Sequence, residues 1–235
     1  MEISNEPISS EITLDLLLGN VDPAHHPLFV EISVDVSARS EGYMHKEAYP
    51  AFLKMHKAAA TDGIPLVIVS AMRTFSEQKR IWNNKWTGKV ELADKINAAN
   101  ILDLSKRALE ILRYSAMPGT SRHHWGTDID INSVEPAYFA TDQGKREYRW
   151  LCENAAKFGF CQPYTPYGQN RWGGYEEEPW HWSYMPIAAI YLIAFQKNVS
   201  YQHIRDFDGW ETAEELKIIR NFVMNINSNC LIAGQ

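Results

Sequence analysis

Ser121-Arg122-His123-His124-Trp125-Gly126-Thr127-Asp128-Ile129-Asp130 (SRHHWGTDID) is the stretch on which the reading of this chain turns. Gly126 permits a sharp turn, and Thr127 to Ile131 (TDIDI) then alternates polar and apolar residues with a period of two. That alternation predicts a short strand with Asp128 and Asp130 on one face. A second segment has the same layout: Glu178-Pro179-Trp180-His181 runs into Trp180 to Tyr184 (WHWSY), a second predicted strand. Junctions of loop and strand are where a rigid sheet aims polar side chains into a cleft.

Working outward, Ile64 to Ser70 (IPLVIVS) reads as a buried strand rich in β-branched residues, and Phe29 to Ile32 as another short one. Helical spacing covers Lys46–Ala60, Ser76–Trp86, Asn100–Tyr114, Tyr148–Phe158, Pro186–Gln196 and Thr212–Asn225. Residues 1–44 are mixed and rich in turn formers. Strands in the middle with helices on both sides give an α+β class: a small central antiparallel sheet carrying the site, flanked by helices. No repeat or long linker interrupts residues 1–235, so a single domain is expected, with residues 1–44 as an N-terminal extension and helices over 186–225 as a C-terminal flank.

The 235 residues carry a net charge of −6, with 45% hydrophobic and 22% charged residues, an ordinary globular composition. A pI near 5.8 and scattered basic residues argue against nucleic-acid binding. The longest apolar run, Ile187 to Phe195, is too short to cross a bilayer. Cys152, Cys161 and Cys230 are too few for a disulfide scaffold and form no CxxC; a bridge between Cys152 and Cys161 is possible but undecided. The N-terminal twenty residues lack a basic region followed by a long apolar stretch, so no signal peptide is expected. The chain is then either cytoplasmic or begins after an export signal.

The two junction segments supply two imidazoles and two carboxylates. A catalytic zinc takes three nitrogen or oxygen ligands and keeps one position open for water; His123, Asp130 and His181 fill the three. A carboxylate near the metal but not bound to it must carry the water's proton, and Glu178 has that position. Because Glu178 and His181 would face opposite ways in a flat strand, a turn or bulge must bring both toward the metal. Asp128 is a competing ligand or, preferably, an acceptor that orients one. His124 ranks second to His123.

These segments resemble the VanY-type D-alanyl-D-alanine carboxypeptidases, zinc peptidases of bacterial cell walls. The family pattern Ser-x-His-x-x-Gly-x-Ala-x-Asp followed by Glu-x-x-His stands here as Ser121, His123, Gly126, Asp130, Glu178 and His181. Arg73 and Gln78, directly after IPLVIVS, match the family's Arg and its Gln five positions on. The resemblance covers roughly Ala48 to Tyr184 and leaves both flanks unsupported; Asp128 departs from it, since the family has a small residue there. It implies a zinc cofactor and peptidoglycan stem peptides as substrate. It further implies removal of C-terminal D-alanine (D,D or L,D), with Arg73 gripping the substrate carboxylate or stabilising the oxyanion. Gln78 either bonds substrate or caps its helix, and the family suggests a substrate-binding role for Ser121. An endopeptidase or D,D-dipeptidase on the same scaffold is the alternative, and a non-enzymatic wall-binding module a distant third. The substrate implies an extracytoplasmic location, in the periplasm or cell envelope.

The remaining features take plainer readings. His25, His26, His45, His56 and His203 lack partners at ligand spacing and read as surface or locally bonded residues. Trp82 and Trp86 read as helix packing, and Trp172 and Tyr175 are candidates for lining a substrate groove. The cysteines read as structural, and no oligomeric state is legible.

Overall fold

The computed structural model describes residues 12–233; residues 1–11 of the predicted N-terminal extension lie outside it. In chain order the elements are α1 (Leu14–Leu18), β1 (Phe29–Glu31), β2 (Tyr43–His45), α2 (Ala48–Thr61), β3 (Ile68–Ser70), α3 (Phe75–Trp86), α4 (Leu104–Leu112) and β4 (Asp128–Ile131). They continue with α5 (Pro136–Phe139), α6 (Asp142–Asn154), β5 (Phe160–Cys161), β6 (His181–Tyr184), α7 (Met185–Asn198), α8 (Thr212–Glu215) and α9 (Ser228–Ala233). The fold is α+β, as expected.

The central sheet has the order β3-β4-β6-β5 with antiparallel neighbours. Asp130 lies opposite His181, Ile129 opposite Trp182 and Asp128 opposite Ser183. Because side chains alternate along a strand, Asp128, Asp130, His181 and Ser183 share one face. Ile129, Ile131 and Trp182 face the other way, into a core with Phe52, Met55 and Ala59 of α2 and Leu151 of α6. A second core joins α1, α3, α4 and α7 through Leu16, Leu17, Trp82, Leu112, Trp125 and Tyr191. The polar face of the sheet is therefore a buried seam between apolar layers.

Several boundaries differ from expectation for physical reasons. Only Ile68–Ser70 of the predicted 64–70 strand pairs with β4. Pro65 has no N–H to offer, while Val67 exchanges bonds with Asn132: its N–H donates to Asn132 Oδ1 and its carbonyl accepts from the Asn132 N–H. The helix placed at 100–114 starts at Leu104, where Asp103 accepts from the Lys106 N–H at 3.0 Å and caps it. That placed at 148–158 starts earlier, at Asp142, with Thr141 as its cap, and finishes in a 3-10 turn at Ala155–Phe158. The helix expected over 212–225 is broken: α8 stops at Glu215, Lys217 has φ +51°, and Ile219–Val223 forms a π turn.

Residues 12–44 hold more structure than their turn formers suggest. In α1 the Thr13 side chain accepts from the Leu16 N–H, and Gly19 closes the helix with φ +78°. The Leu17 carbonyl accepts from Trp125 Nε1 at 3.3 Å and the Gly19 carbonyl from the Phe75 N–H at 2.8 Å. A Cβ on Gly19 would sit 2.3 Å from His124 Nδ1. The disulfide is Cys161–Cys230, 69 residues apart, so the Cys152–Cys161 pairing is not made and Cys152 is free and exposed. Sequence spacing leaves the pairing open; Cys152 belongs to α6, whereas Cys161 ends β5 and meets Cys230 of α9.

Candidate active site

His123 ends up buried in a short 3-10 turn, Arg122–Trp125, that Gly126 closes with φ +67°. No side chain is tolerated at Gly126, since a Cβ would meet the Phe29 ring at 2.6 Å and the His45 backbone nitrogen at 2.9 Å. Asp130 and His181 face one another from β4 and β6. The turn at Pro179-Trp180, closed by a 3.2 Å bond from the His181 N–H to the Glu178 carbonyl, brings Glu178 back over the strand. The geometric condition set by the Glu-x-x-His spacing is thereby met.

His123, Asp130 and His181 offer one ligand atom each within 4.8 Å of one another. Nε2 of His123 lies 3.4 Å from Asp130 Oδ2, and Nδ1 of His181 lies 3.4 Å from Asp130 Oδ1 and 3.1 Å from Glu178 Oε2. The opposite ring nitrogens are occupied: His123 Nδ1 pairs with the Ala71 carbonyl at 2.8 Å, and His181 Nε2 with Asp128 Oδ2 at 2.8 Å. Both rings thus turn their remaining nitrogen inward. His123 Nε2 and Asp130 Oδ1 are buried with no hydrogen-bond partner, a state that proteins avoid unless the atoms are meant for something else. Two converging nitrogens and a carboxylate oxygen, with one nitrogen and the oxygen otherwise unsatisfied, are a donor set that fits zinc.

The electrostatics agree. Burial pushes His123 down to about 4, with Arg73 adding to the shift, so its ring is neutral at pH 7 and able to ligate. Burial would also lower His181, but hydrogen bonds to Asp128, Asp130 and Glu178 outweigh it and raise this ring well above the ordinary histidine value. A cation is favoured at the centre of those carboxylates. Burial works against ionised Asp130, yet His123 and His181 hold it well below the usual carboxylate range. Burial raises Glu178, partly offset by its bond to His181.

Asp128 does not join the ligand cluster; it pairs with the His181 nitrogen on the far side of the ring from Asp130. It is fully buried and accepts from Arg122 Nε at 2.8 Å, Ser183 Oγ at 2.7 Å and Thr127 Oγ1 at 2.8 Å as well as pairing with His181. Arg122 also donates from Nη2 to Ser183 Oγ at 2.6 Å and stacks over Trp125 at 4.8 Å. His124 faces away from the site: the Gly119 N–H donates to its Nε2 at 3.1 Å and its Nδ1 pairs with the Arg73 carbonyl at 2.7 Å. With both ring nitrogens in use it has none left for a metal.

Arg73 reaches the cluster, with Nη2 3.8 Å from Asp130 Oδ2, and its Nε is buried and unpartnered. Gln78 is fully buried; its Oε1 accepts from Arg73 Nη1 at 2.9 Å and its Nε2 donates to the Ala116 carbonyl at 2.7 Å. Gln78 therefore does not cap its helix: Thr74 and Glu77 do so by a reciprocal capping box. Arg73, His123, Asp130, Glu178 and His181 line a cleft of about 660 Å³ that also includes Ser121, Tyr114, Tyr164, Tyr175 and Lys85; Gln78 lies behind Arg73, outside the lining. Trp172, expected in the groove, is 66% exposed outside it, whereas Tyr175 lines it. Tyr164 escaped the sequence reading although its ring packs edge-on against His181 at 4.8 Å; a lone Tyr in a Gly/Pro-rich loop carries no signal of that contact. His45 was read as surface or locally bonded; it is buried, accepting from the Glu47 N–H at 3.3 Å.

Known proteins resemble this chain over the span that holds the site. The chain is 30% identical over 172 residues to a D-alanyl-D-alanine carboxypeptidase of Enterococcus faecalis, a match covering 73% of this chain. It spans 59% of that relative's length. The zinc(II) complex of a vancomycin-resistance D,D-pentapeptidase, VanY, is similar over 82% of this chain and 100% of that one, with 26% identity and a TM-score of 0.53. The LD-carboxypeptidase LdcB is similar over 83% of this chain and 80% of that one, with 27% identity and a TM-score of 0.53. The family model for VanY, D-alanyl-D-alanine carboxypeptidase, matches residues 41–187, which include each residue of the cluster just described. This chain belongs to the VanY family of D-alanyl-D-alanine carboxypeptidases.

Proposed function

We propose that the protein is a zinc-dependent carboxypeptidase that removes C-terminal D-alanine from peptidoglycan stem peptides. The observation that carries this reading is the convergence of His123, Asp130 and His181, with two of their ligand atoms buried and unsatisfied, beside a carboxylate that is not one of the three. His123 Nε2, one Asp130 oxygen and His181 Nδ1 hold the metal. Bound there, zinc supplies a Lewis acid that polarises the scissile carbonyl and makes water a nucleophile near neutral pH.

The chain's own residues do the rest. Glu178 takes a proton from the attacking water and passes it to the departing amine of D-alanine. Its raised pKa suits it to both halves of that task, since a proton held too weakly would not be collected. Arg73 faces the cluster with a free Nε and grips the substrate carboxylate or the developing oxyanion; Gln78 holds the guanidinium in that orientation. Ser121, buried on the cleft wall, is positioned to bond substrate.

An extracytoplasmic location follows from the substrate, and the disulfide supports it because such bonds persist in oxidising compartments. Among the described residues no helix is long and apolar enough to cross a membrane. The test is to incubate the purified, zinc-loaded protein with tetrapeptide and pentapeptide stems and measure free D-alanine. Release abolished by a chelator and restored by zinc is the expected result; no release from either stem at full metal occupancy rejects the proposal.

A further inference from the structure

Lys85 is a cation of the cleft that the proposed chemistry leaves without a task. It sits in the last turn of α3 and lines the same cavity as the metal cluster. Its hydrogen bond goes to a neutral group, Ser115 Oγ at 2.5 Å, and among the described residues it forms no ion pair. Burial lowers its pKa, and the charge of Arg73 lowers it further, with Glu178 and Glu135 pulling the other way. An ammonium on a cavity wall with no ion-pair partner in contact is costly, and a ligand carboxylate entering the cavity offsets that cost.

Its placement relative to the reacting centre is set by the helix. Gln78 and Lys85 are seven residues apart, two turns on one face of α3, which is about 10 Å along the axis. Helical side chains lean toward the N-terminus, so Lys85 points back toward Gln78. The two end on adjacent residues, Lys85 on Ser115 and Gln78 on the Ala116 carbonyl. Gln78 in turn holds Arg73. A line of donors thus runs from Arg73, beside Asp130, to Lys85.

We infer that Lys85, held by Ser115, forms a second carboxylate subsite, which recognises an acidic group on the substrate upstream of its terminal carboxylate. The inference rests on the stem-peptide reading and deepens it. A stem can carry such a group at two places: the α-carboxyl of its γ-linked glutamate, or the carboxyl on the side chain of its diamino acid. Lysine suits this role as a compact point charge that does not demand planar, bidentate geometry.

The test compares matched stem peptides that differ only in whether one of these carboxyls is free or amidated, using the zinc-loaded protein and its K85M and K85R variants. The wild type is expected to show a kcat/KM at least tenfold higher on the free acid at one of the two positions, and the position affected identifies the source of the carboxylate. K85M should collapse that ratio toward one and K85R should retain most of it. Calorimetric binding of the same peptides to metal-free protein should show the same order, without any turnover. Equal kcat/KM for free and amidated peptides in the wild type overturns the subsite even if K85M does not fold, and so does an undiminished preference in K85M. Failure of the wild type to cleave any stem would instead defeat the proposed function, a distinguishable result.

Discussion

Removing the Asp128 carboxylate should weaken metal binding from a position that never touches the metal. Asp128→Ala takes away the acceptor 2.8 Å from His181 Nε2. That contact fixes which nitrogen of the ring carries the proton and leaves Nδ1 facing His123 and Asp130. Loss of such an outer partner costs about 10–100-fold in metal affinity, which is about 1.4–2.7 kcal/mol. A second and larger cost falls on folding. Arg122 is fully buried, its Nη1 is already unpartnered, and without Asp128 its charge keeps neutral partners alone: Ser183 Oγ, Met185 Sδ and the face of Trp125. Breaking a buried pair from one side costs about 3–5 kcal/mol. The double variant R122M/D128A separates the two effects, because removing both charges relieves the stranded guanidinium but leaves His181 unoriented. Zinc affinity should be measured by competition with a chromophoric chelator, and stability by urea unfolding of the metal-free protein. D128A should lose on both axes and the double variant should recover stability alone. Unchanged zinc affinity in a folded D128A protein would refute the orientation argument, and recovery of affinity in the double variant would assign the effect to folding instead.

Four further outcomes follow from the same geometry. Glu178→Gln should retain zinc while lowering turnover by about 10²–10⁴-fold, read by metal analysis alongside D-alanine release. Because burial raises the Glu178 pKa above its ordinary 4.5, the acid limb of kcat/KM against pH should lie above that value. In the metal-free protein His45 and His124 are pushed by burial to about 4 and about 3 from 6.5. The unfolded chain therefore binds protons there that the fold does not, and urea midpoints should drop as pH falls from 6.5 toward 4. The raised His181 contributes with opposite sign. Cys230→Ser opens a loop of 69 residues and should cost about 4 kcal/mol on the chain-entropy argument, seen as a lower unfolding midpoint; a midpoint equal to wild type would refute it.

The fold class and the two strands that carry the site were legible in short-range pattern, and the resemblance to a known family joined His123 and Asp130 to the distant His181. Period-two alternation in TDIDI fixes which residues share a face with Asp130, and the Glu-x-x-His spacing implies the turn that His181 and Glu178 adopt. What remained hidden depends on contacts between distant segments. The Cys161–Cys230 pairing follows from where α9 packs, which no local spacing encodes. Gln78 looked like a cap or a substrate ligand; its role as a brace for Arg73 depends on the Ala116 carbonyl, 38 residues away. Lys85 resembled any polar residue on a helix until Ser115 and the cavity wall gave it a setting. The broken helix after Glu215 was missed because Lys217 adopts a positive φ that nothing in its side chain announces.

Residues 12–40 precede the span that the family model matches, yet they buttress the candidate site from behind. Gly19 lies so close to His124 that even a methyl group would displace the imidazole, and His124 is what holds the Arg73 backbone in place. Trp125, next in the chain, is tied to α1 by its indole nitrogen. Trimming the protein to the span of the family model would therefore remove the packing behind His124 and Trp125. The stretch that the family model marks out is smaller than the unit that packs around the candidate site.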